Sequence, residues 1–188
     1  SWNRKVGFIL MNTYVKEISR SMKMLSKNKK TIFIGQSVKY SGSSIYVSLK
    51  NVPNQKKIEL PVFEETQLGM SIGLALEGYI PISCYPRFDF LIIALNQLVN
   101  HADKINLLTN NQFNSKIIIR TLVGSTYPLD GGPQHTQDHT LALRKMLKFT
   151  KIIKLSNQKI IYKSYRSALK DKKNKVFLFV EDGNLYND

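Results

Sequence analysis

The sequence predicts an α/β protein, three layers thick, with a mostly parallel six-stranded sheet flanked by helices. Strands and helices alternate along the chain, and each strand reads as a continuous apolar run, as strands do when both faces of a sheet are covered. Size agrees: 188 residues, 43% of them hydrophobic, suffice for one domain with a substantial core.

Taken in order, residues 12–27 place Val15, Ile18, Met22 and Leu25 on one helical stripe. A β-branched run at 31–34 closes on Gly35, and apolar runs at 57–62, 80–85, 116–122, 152–155 and 176–180 give the other strands. Helical spacing recurs at 64–77, 88–108, 139–148 and 158–170, the second segment carrying Leu91, Ile92, Leu95, Leu98, Val99, Ala102 and Ile105. Ligands of such a sheet sit beyond the carboxyl ends of its strands, so the loops after Ile34, Val62, Tyr85 and Leu122 are the ones to watch. Residues 1–10 precede Met11 and read as an N-terminal extension or a vector-derived remnant, leaving 11–188 as the domain.

Twenty-eight Lys and Arg against thirteen Asp and Glu give a formal charge of +15, which draws nucleic acid, anionic membrane or an acidic partner. The lysines fall in small groups (Lys29 and Lys30, Lys56 and Lys57, then Lys170, Lys172, Lys173 and Lys175) and read as solvated surface. A nucleic-acid module would need them gathered on one face, and no reading motif accompanies the charge. No apolar run approaches the ~18 residues of a membrane span. Cys84 stands alone, which fits a reducing compartment, and a cytoplasmic protein is the expectation.

Several chemistries lose their support. The chain has no G-x-S-x-G elbow, no G-x-x-x-x-G-K-[ST] phosphate loop and no G-x-G-x-x-G after the first strand. His135 and His139 have zinc-ligand spacing, but Thr136, Gln137 and Asp138 lie between them, with no glutamate base and no third ligand nearby.

The informative stretch runs from Pro61 through Glu64 and Glu65 to Gly78, then Ile80-Pro81-Ile82. A strand gives way to Pro-x-x-Glu, the glutamate opens a helix rich in small residues, Gly78 closes it, and x-x-Pro-Ile starts the next strand. Further blocks follow in order: Tyr85-Pro86-Arg87-Phe88-Asp89-Phe90, residues 95–104, and Gln134-His135-Thr136-Gln137. Together they resemble the pyrimidine-binding domain of thiamine diphosphate enzymes. The likeness is to the beta subunit of the decarboxylating component of 2-oxo acid (pyruvate) dehydrogenase complexes, and to transketolase.

The resemblance implies the thiamine diphosphate-binding fold and a catalytic role for Glu64. Its carboxyl would hydrogen-bond a ring nitrogen of the cofactor's aminopyrimidine, favouring the imino tautomer that draws the proton from the thiazolium carbon. It places Tyr85, Pro86, Phe88 and Phe90 around the pyrimidine, with Phe90 as the stacking ring, and His135 facing the substrate, where an imidazole suits proton transfer. Without it, Glu64 and Glu65 are ordinary first-turn acids, Phe88 and Phe90 are core, and His135 is a loop-packing residue.

Two departures accompany the likeness. Gln36 follows Gly35 where the family often has a proton-relaying acid, and the family's structural potassium, expected near Ala168 and Asp171, has only part of its Ala-x-x-Asp surroundings. Asp182-Gly183-Asn184 has the letters of a magnesium motif without its distant ligand, so thiamine diphosphate and Mg²⁺ are expected to be held mainly by a partner subunit carrying the diphosphate-binding domain.

The function expected is that of a pyrimidine-domain subunit in a heteromeric enzyme, by self-association a heterotetramer. It would be active only with its partner, decarboxylating a 2-oxo acid or transferring an acyl or ketol unit from a 2-oxo acid or sugar. The 88–108 helix is the candidate for packing on a second copy. The alternative is a non-catalytic assembly or regulatory module that keeps the fold.

Overall fold

The computed structural model describes residues 13–127, 130–173 and 175–186; the expected extension at 1–10 lies outside them. Six strands, β1 (Thr31–Gly35), β2 (Lys57–Glu59), β3 (Ile80–Tyr85), β4 (Ile117–Val123), β5 (Lys151–Leu155) and β6 (Val176–Asp182), form one sheet in the order β2-β1-β3-β4-β6-β5. Every pairing is parallel. Wholly buried β3 and almost wholly buried β4 and β6 explain the continuous apolar runs.

Helices α1 (Thr13–Ser26), α2 (Ser44–Leu49) and α7 (Gln158–Lys170) cover one face. Ile18, Met22 and Leu25 of α1 and Ile161 and Tyr165 of α7 meet Phe33, Ile82, Phe177 and Phe179 from the sheet. The other face packs Tyr85, Ile117, Ile119, Leu178 and Val180 against α3 (Glu64–Leu76), the segment from Phe88 to Leu108 and α6 (Thr140–Met146). Alternate residues of each strand serve opposite cores, as a pleated strand requires.

Three elements differ from expectation. The strand expected at 57–62 ends at Glu59: Leu60 donates the last ladder bond, to the Gly35 carbonyl (3.0 Å), and the chain leaves the sheet at Pro61. Helix α2 gave no sequence signal: six residues are too few for a periodic stripe, and only the Ser43 side chain, accepting from Tyr46 N, marks its start.

The expected continuous helix at 88–108 is divided into α4 (Phe88–Leu91), a 3₁₀ turn (Ile92–Ala94), a π-helical stretch (Gln97–Ala102) and α5 (Ile105–Leu108). The buried apolar positions are Phe88, Leu91, Ala94, Leu98, Ala102 and Ile105. Where they recur every third residue the helix tightens, and where they recur every fourth it loosens into the π turn, so one face stays on the sheet.

The lysines also depart from a uniformly solvated surface. Lys57 is buried, and the Lys56 ammonium donates to the carbonyls of Asn28 (2.6 Å), Lys29 (3.2 Å) and Thr31 (3.1 Å). Burial lowers the pKa of both from the usual lysine value, and Lys39 adds to the effect at Lys57. Lys16, Arg20 and Lys23 stand exposed along α1, and Lys159, Lys163, Arg166 and Lys170 along α7, which packs beside it. Much of the excess charge therefore gathers on one face.

Candidate active site

From β1 the chain moves outward to β2, then crosses back to β3 on the opposite side of β1. The loops leaving β1 and β3 diverge at this switch point and open a crevice. Gly35 closes β1 with φ of +147°, and a Cβ there would lie 2.3 Å from the Cys84 carbonyl oxygen, so only glycine lets the two strand ends approach. The loop after it is held by Glu59, whose carboxylate accepts from Ser37 N and Lys39 N, both at 2.6 Å.

Glu64 opens α3 at the edge of this crevice and is buried, 7% exposed. Its surroundings are Gln36, Pro61, Val62, Phe63, Gln67, Tyr85 and Pro86, which enclose a narrow recess. The Tyr85 hydroxyl donates to the Glu64 carbonyl (3.2 Å), while among the described residues the Glu64 carboxylate has no hydrogen-bond or ion-pair partner. Burial, and then the Glu64 charge, push the Tyr85 phenol well above its ordinary pKa, with the Ser83 hydroxyl opposing; it stays a protonated donor. Beside Glu64, Val62 and Phe63 are 59% and 60% exposed, an apolar lip on the recess.

Sequence reasoning missed Gln67, one turn into α3 and 2% exposed. Its amide donates to Ser83 Oγ (3.0 Å), Cys84 O (3.0 Å) and Ile34 O (3.4 Å), fixing the start of α3 to the ends of β1 and β3. The available signal was a polar residue three positions after Glu64, on the stripe that should face the sheet.

A second hollow, a cleft of about 620 Å³, joins the recess through the shared wall residues Gln36 and Pro86. Arg87 and Phe90 line it from one side, Ser41, Ser43, Ser44 and Lys50 from another, and Gly124 and Ser125 from the end of β4. Arg87 donates through Nη1 to Gly124 O (2.7 Å) and His135 O (2.9 Å), tying the 131–135 loop to the cleft rim. The sequence reading assigned no role to Arg87, the serines or Lys50.

Phe90 meets the His135 ring edge to face, centroids 5.7 Å apart. His135 Nδ1 lies 2.9 Å from the Gly131 carbonyl. A carbonyl only accepts, so Nδ1 carries the proton and Nε2 of the neutral ring keeps its lone pair. Pro86 and Phe90 therefore line the cleft and His135 packs beside Phe90 without lining it, while Glu64 and Tyr85 sit at the neighbouring recess. Phe88 does not join them: it is wholly buried in the core and meets His139 edge-on (5.4 Å). The spaced histidines share no site, since His139 turns toward Phe88 and Asp89.

Among the described residues no cluster of three His, Cys, Asp or Glu side chains could hold a metal ion. Asp182, Gly183 and Asn184 build a turn: Gly183 N donates to Val123 O (2.7 Å), and the Asn184 side chain accepts from Thr126 N (3.0 Å). No helix among the described residues is long and apolar enough to cross a membrane.

The family model described as "Transketolase, pyrimidine binding domain" matches residues 17–187. The chain is 29% identical over 166 residues to the pyruvate dehydrogenase E1 component subunit beta of Gracilaria tenuistipitata var. liui, covering 86% of this chain and 50% of the relative. With the 2-oxoisovalerate dehydrogenase subunit beta of Bacillus subtilis (strain 168) it shares 25% identity over 129 residues, 66% of this chain and 39% of the relative. It thus spans about half, or less, of the length of these relatives.

Two solved structures share the fold. A split-gene transketolase, described as an inactive beta4 tetramer, superposes with a TM-score of 0.66 at 14% identity, over 88% of this chain and 49% of that one. Transketolase from Campylobacter jejuni gives 0.67 at 15% identity, over 89% and 25%.

Proposed function

Because the chain belongs to the transketolase pyrimidine-binding domain family, we propose that it is the pyrimidine-domain subunit of a heteromeric thiamine diphosphate enzyme. The reaction is decarboxylation of a 2-oxo acid, or transfer of an acyl or ketol unit from a 2-oxo acid or ketose. One observation carries the reading: Glu64, a residue only 7% exposed whose carboxylate has no protein partner among the described residues, stands at the wall of a recess beside the cleft at the sheet's switch point.

A carboxyl group with no protein partner is free to hydrogen-bond a ligand's ring nitrogen, and closing that contact off from water would strengthen it. Glu64 holds a proton at the pyrimidine nitrogen, and Gln67 and Tyr85 keep its backbone in place. Pro86 and Phe90 would wall the ring, and His135, beside Phe90, would offer Nε2 as a proton acceptor toward the substrate. When bound, thiamine diphosphate supplies the carbon nucleophile for the substrate carbonyl.

The diphosphate and Mg²⁺ belong to a partner subunit with a diphosphate-binding domain, and self-association completes a heterotetramer. Val62 and Phe63, exposed beside Glu64, suit a surface closed by that partner. A cytoplasmic location is part of the proposal; a cell fractionation that recovers the chain with membranes or an organelle would refute it.

The competing module reading draws on Gln36, which lines both hollows yet carries no acid. Glu64→Gln in the reconstituted complex separates the two. Turnover should fall about 100-fold or more while partner retention and melting temperature hold. Unchanged turnover, or a wild-type complex that neither binds thiamine diphosphate nor turns over a 2-oxo acid or ketose, would sink the catalytic role.

A further inference from the structure

The corner where α7 ends and β6 begins does not have the makings of a potassium site, and the reason is a lysine. A helix ends with carbonyls that have no N–H four residues on, and these form the negative pole of its dipole. At the end of α7, Asp171 N still donates to Ser167 O (2.8 Å), which leaves the carbonyls of Ala168, Leu169 and Lys170 without such a donor in the helix. Lys116, the residue before β4, is buried, 9% exposed, and its ammonium donates to the Asp171 carbonyl. Its stem lies along Phe177, with the ammonium 5.8 Å from the ring centroid, and the backbone beside it is fixed by Ile117 N donating to Lys175 O (2.9 Å). A cation already sits on the oxygen a potassium ion would need.

We propose that the Lys116 ammonium is the resident cation of this corner, a covalently attached charge standing where a potassium ion would otherwise sit. A second monovalent cation at that oxygen would meet the like charge of the ammonium at close range in a partly buried setting. An ammonium cannot dissociate, so stability at this corner is independent of which salt surrounds the protein. The inference does not depend on the catalytic reading, since it concerns the far end of α7 and its readout is unfolding.

The test is thermal unfolding of the full chain in KCl, NaCl and choline chloride at one ionic strength. The wild type should melt within about 1 °C in all three. Lys116→Met, which keeps the apolar stem, should lose several degrees in choline and recover at least about 3 °C in KCl over NaCl. A variant that folds only in potassium gives the same support. A wild type that gains about 3 °C or more in KCl over NaCl overturns the proposal. So does a Lys116→Met deficit equal in the three salts, or a variant unfolded in all of them.

Discussion

Two residues beneath the site bear most directly on its shape. Alanine at Gly35 would force its methyl to within 2.3 Å of the Cys84 carbonyl in a backbone conformation that side chains avoid. Gly35→Ala should cost at least about 3 kcal/mol and lower the melting temperature by roughly 6 to 12 °C. Gln67→Leu keeps the volume but removes donors from Cys84 O and Ser83 Oγ, which should cost about 1 to 3 kcal/mol and loosen thiamine diphosphate binding in the reconstituted complex through Glu64.

Cys84 is wholly enclosed, and burial pushes its thiol up to about 12, with Arg120 opposing and Glu181 adding. The thiol stays protonated in the native state while the unfolded chain releases that proton nearer its ordinary value of 9.0. The contribution is therefore fully present below that value and shrinks as pH rises through the window up to about 12. Iodoacetamide at pH 8 should leave Cys84 unlabelled until denaturant opens the domain; rapid native labelling would contradict the burial.

Among the elements, the segment from Phe88 to Leu108 shows what sequence could and could not convey. Most of its apolar face was legible because buried positions recur about every three to four residues, but Ile92, read as part of that stripe, is exposed, and buried Ala94 was not read. Its 3₁₀ and π turns were not, since they follow from matching that face to the sheet, a distance absent from the sequence. The same holds at the site. Glu64, Phe90 and His135 were legible through ordered blocks with local spacing. Arg87 bridging Gly124 and His135, Ser41 to Ser44, and Lys50 became visible only when distant loops met. Phe88, on the same block as Phe90, points into the core because two residues along this tight turn reverse the direction of a side chain.

Asp103 follows the π turn and is 2% exposed. Its carboxylate accepts from the backbone of Lys148 (3.0 Å), Phe149 (3.0 Å) and Thr150 (2.7 Å), holding the approach to β5 against the end of this segment. Asp103→Ala would leave those N–H groups unsatisfied and should cost about 2 to 4 kcal/mol. Hydrogen exchange should rise first at residues 148–150. Exchange unchanged there would show that the cap contributes nothing.

Across the whole molecule, β4 and β6 are joined by an ion pair sealed from water. Arg120 Nε and Nη2 reach the two Glu181 oxygens at 2.8 and 2.9 Å, both side chains at 0% exposure. Tyr165 of α7 donates to Glu181 (2.7 Å), Tyr186 also donates to it, and Arg120 reaches Ser48 of α2 (3.0 Å), so the pair joins the sheet to its covering helices. Arg120→Met strands a buried carboxylate and should cost about 3 to 5 kcal/mol. The double variant Arg120→Met with Glu181→Leu should cost less than that single one, because it strands no charge.

The sheet's two covers differ in kind, and that difference suits the proposed subunit contact to one of them. The α1 and α7 layer is studded with cations, relieved by Glu17 pairing with Arg20 at 3.2 Å, and Arg20 also caps the Tyr162 ring (4.1 Å), hiding the aromatic that could have stacked on a base. The opposite layer exposes Met70 and Leu76 of α3 with Ile92 and Ile93 after α4, apolar surface of the kind that subunit contacts bury. Reversing Lys16, Arg20 and Lys23 to Glu should lower the salt needed to elute the chain from a heparin column and leave copurification with the proposed partner unchanged. Met70→Asp with Ile93→Asp should do the opposite, leaving heparin retention intact while dispersing the assembly in sedimentation velocity. An assembly lost through the cationic triple variant instead would move the subunit contact to the other side of the sheet.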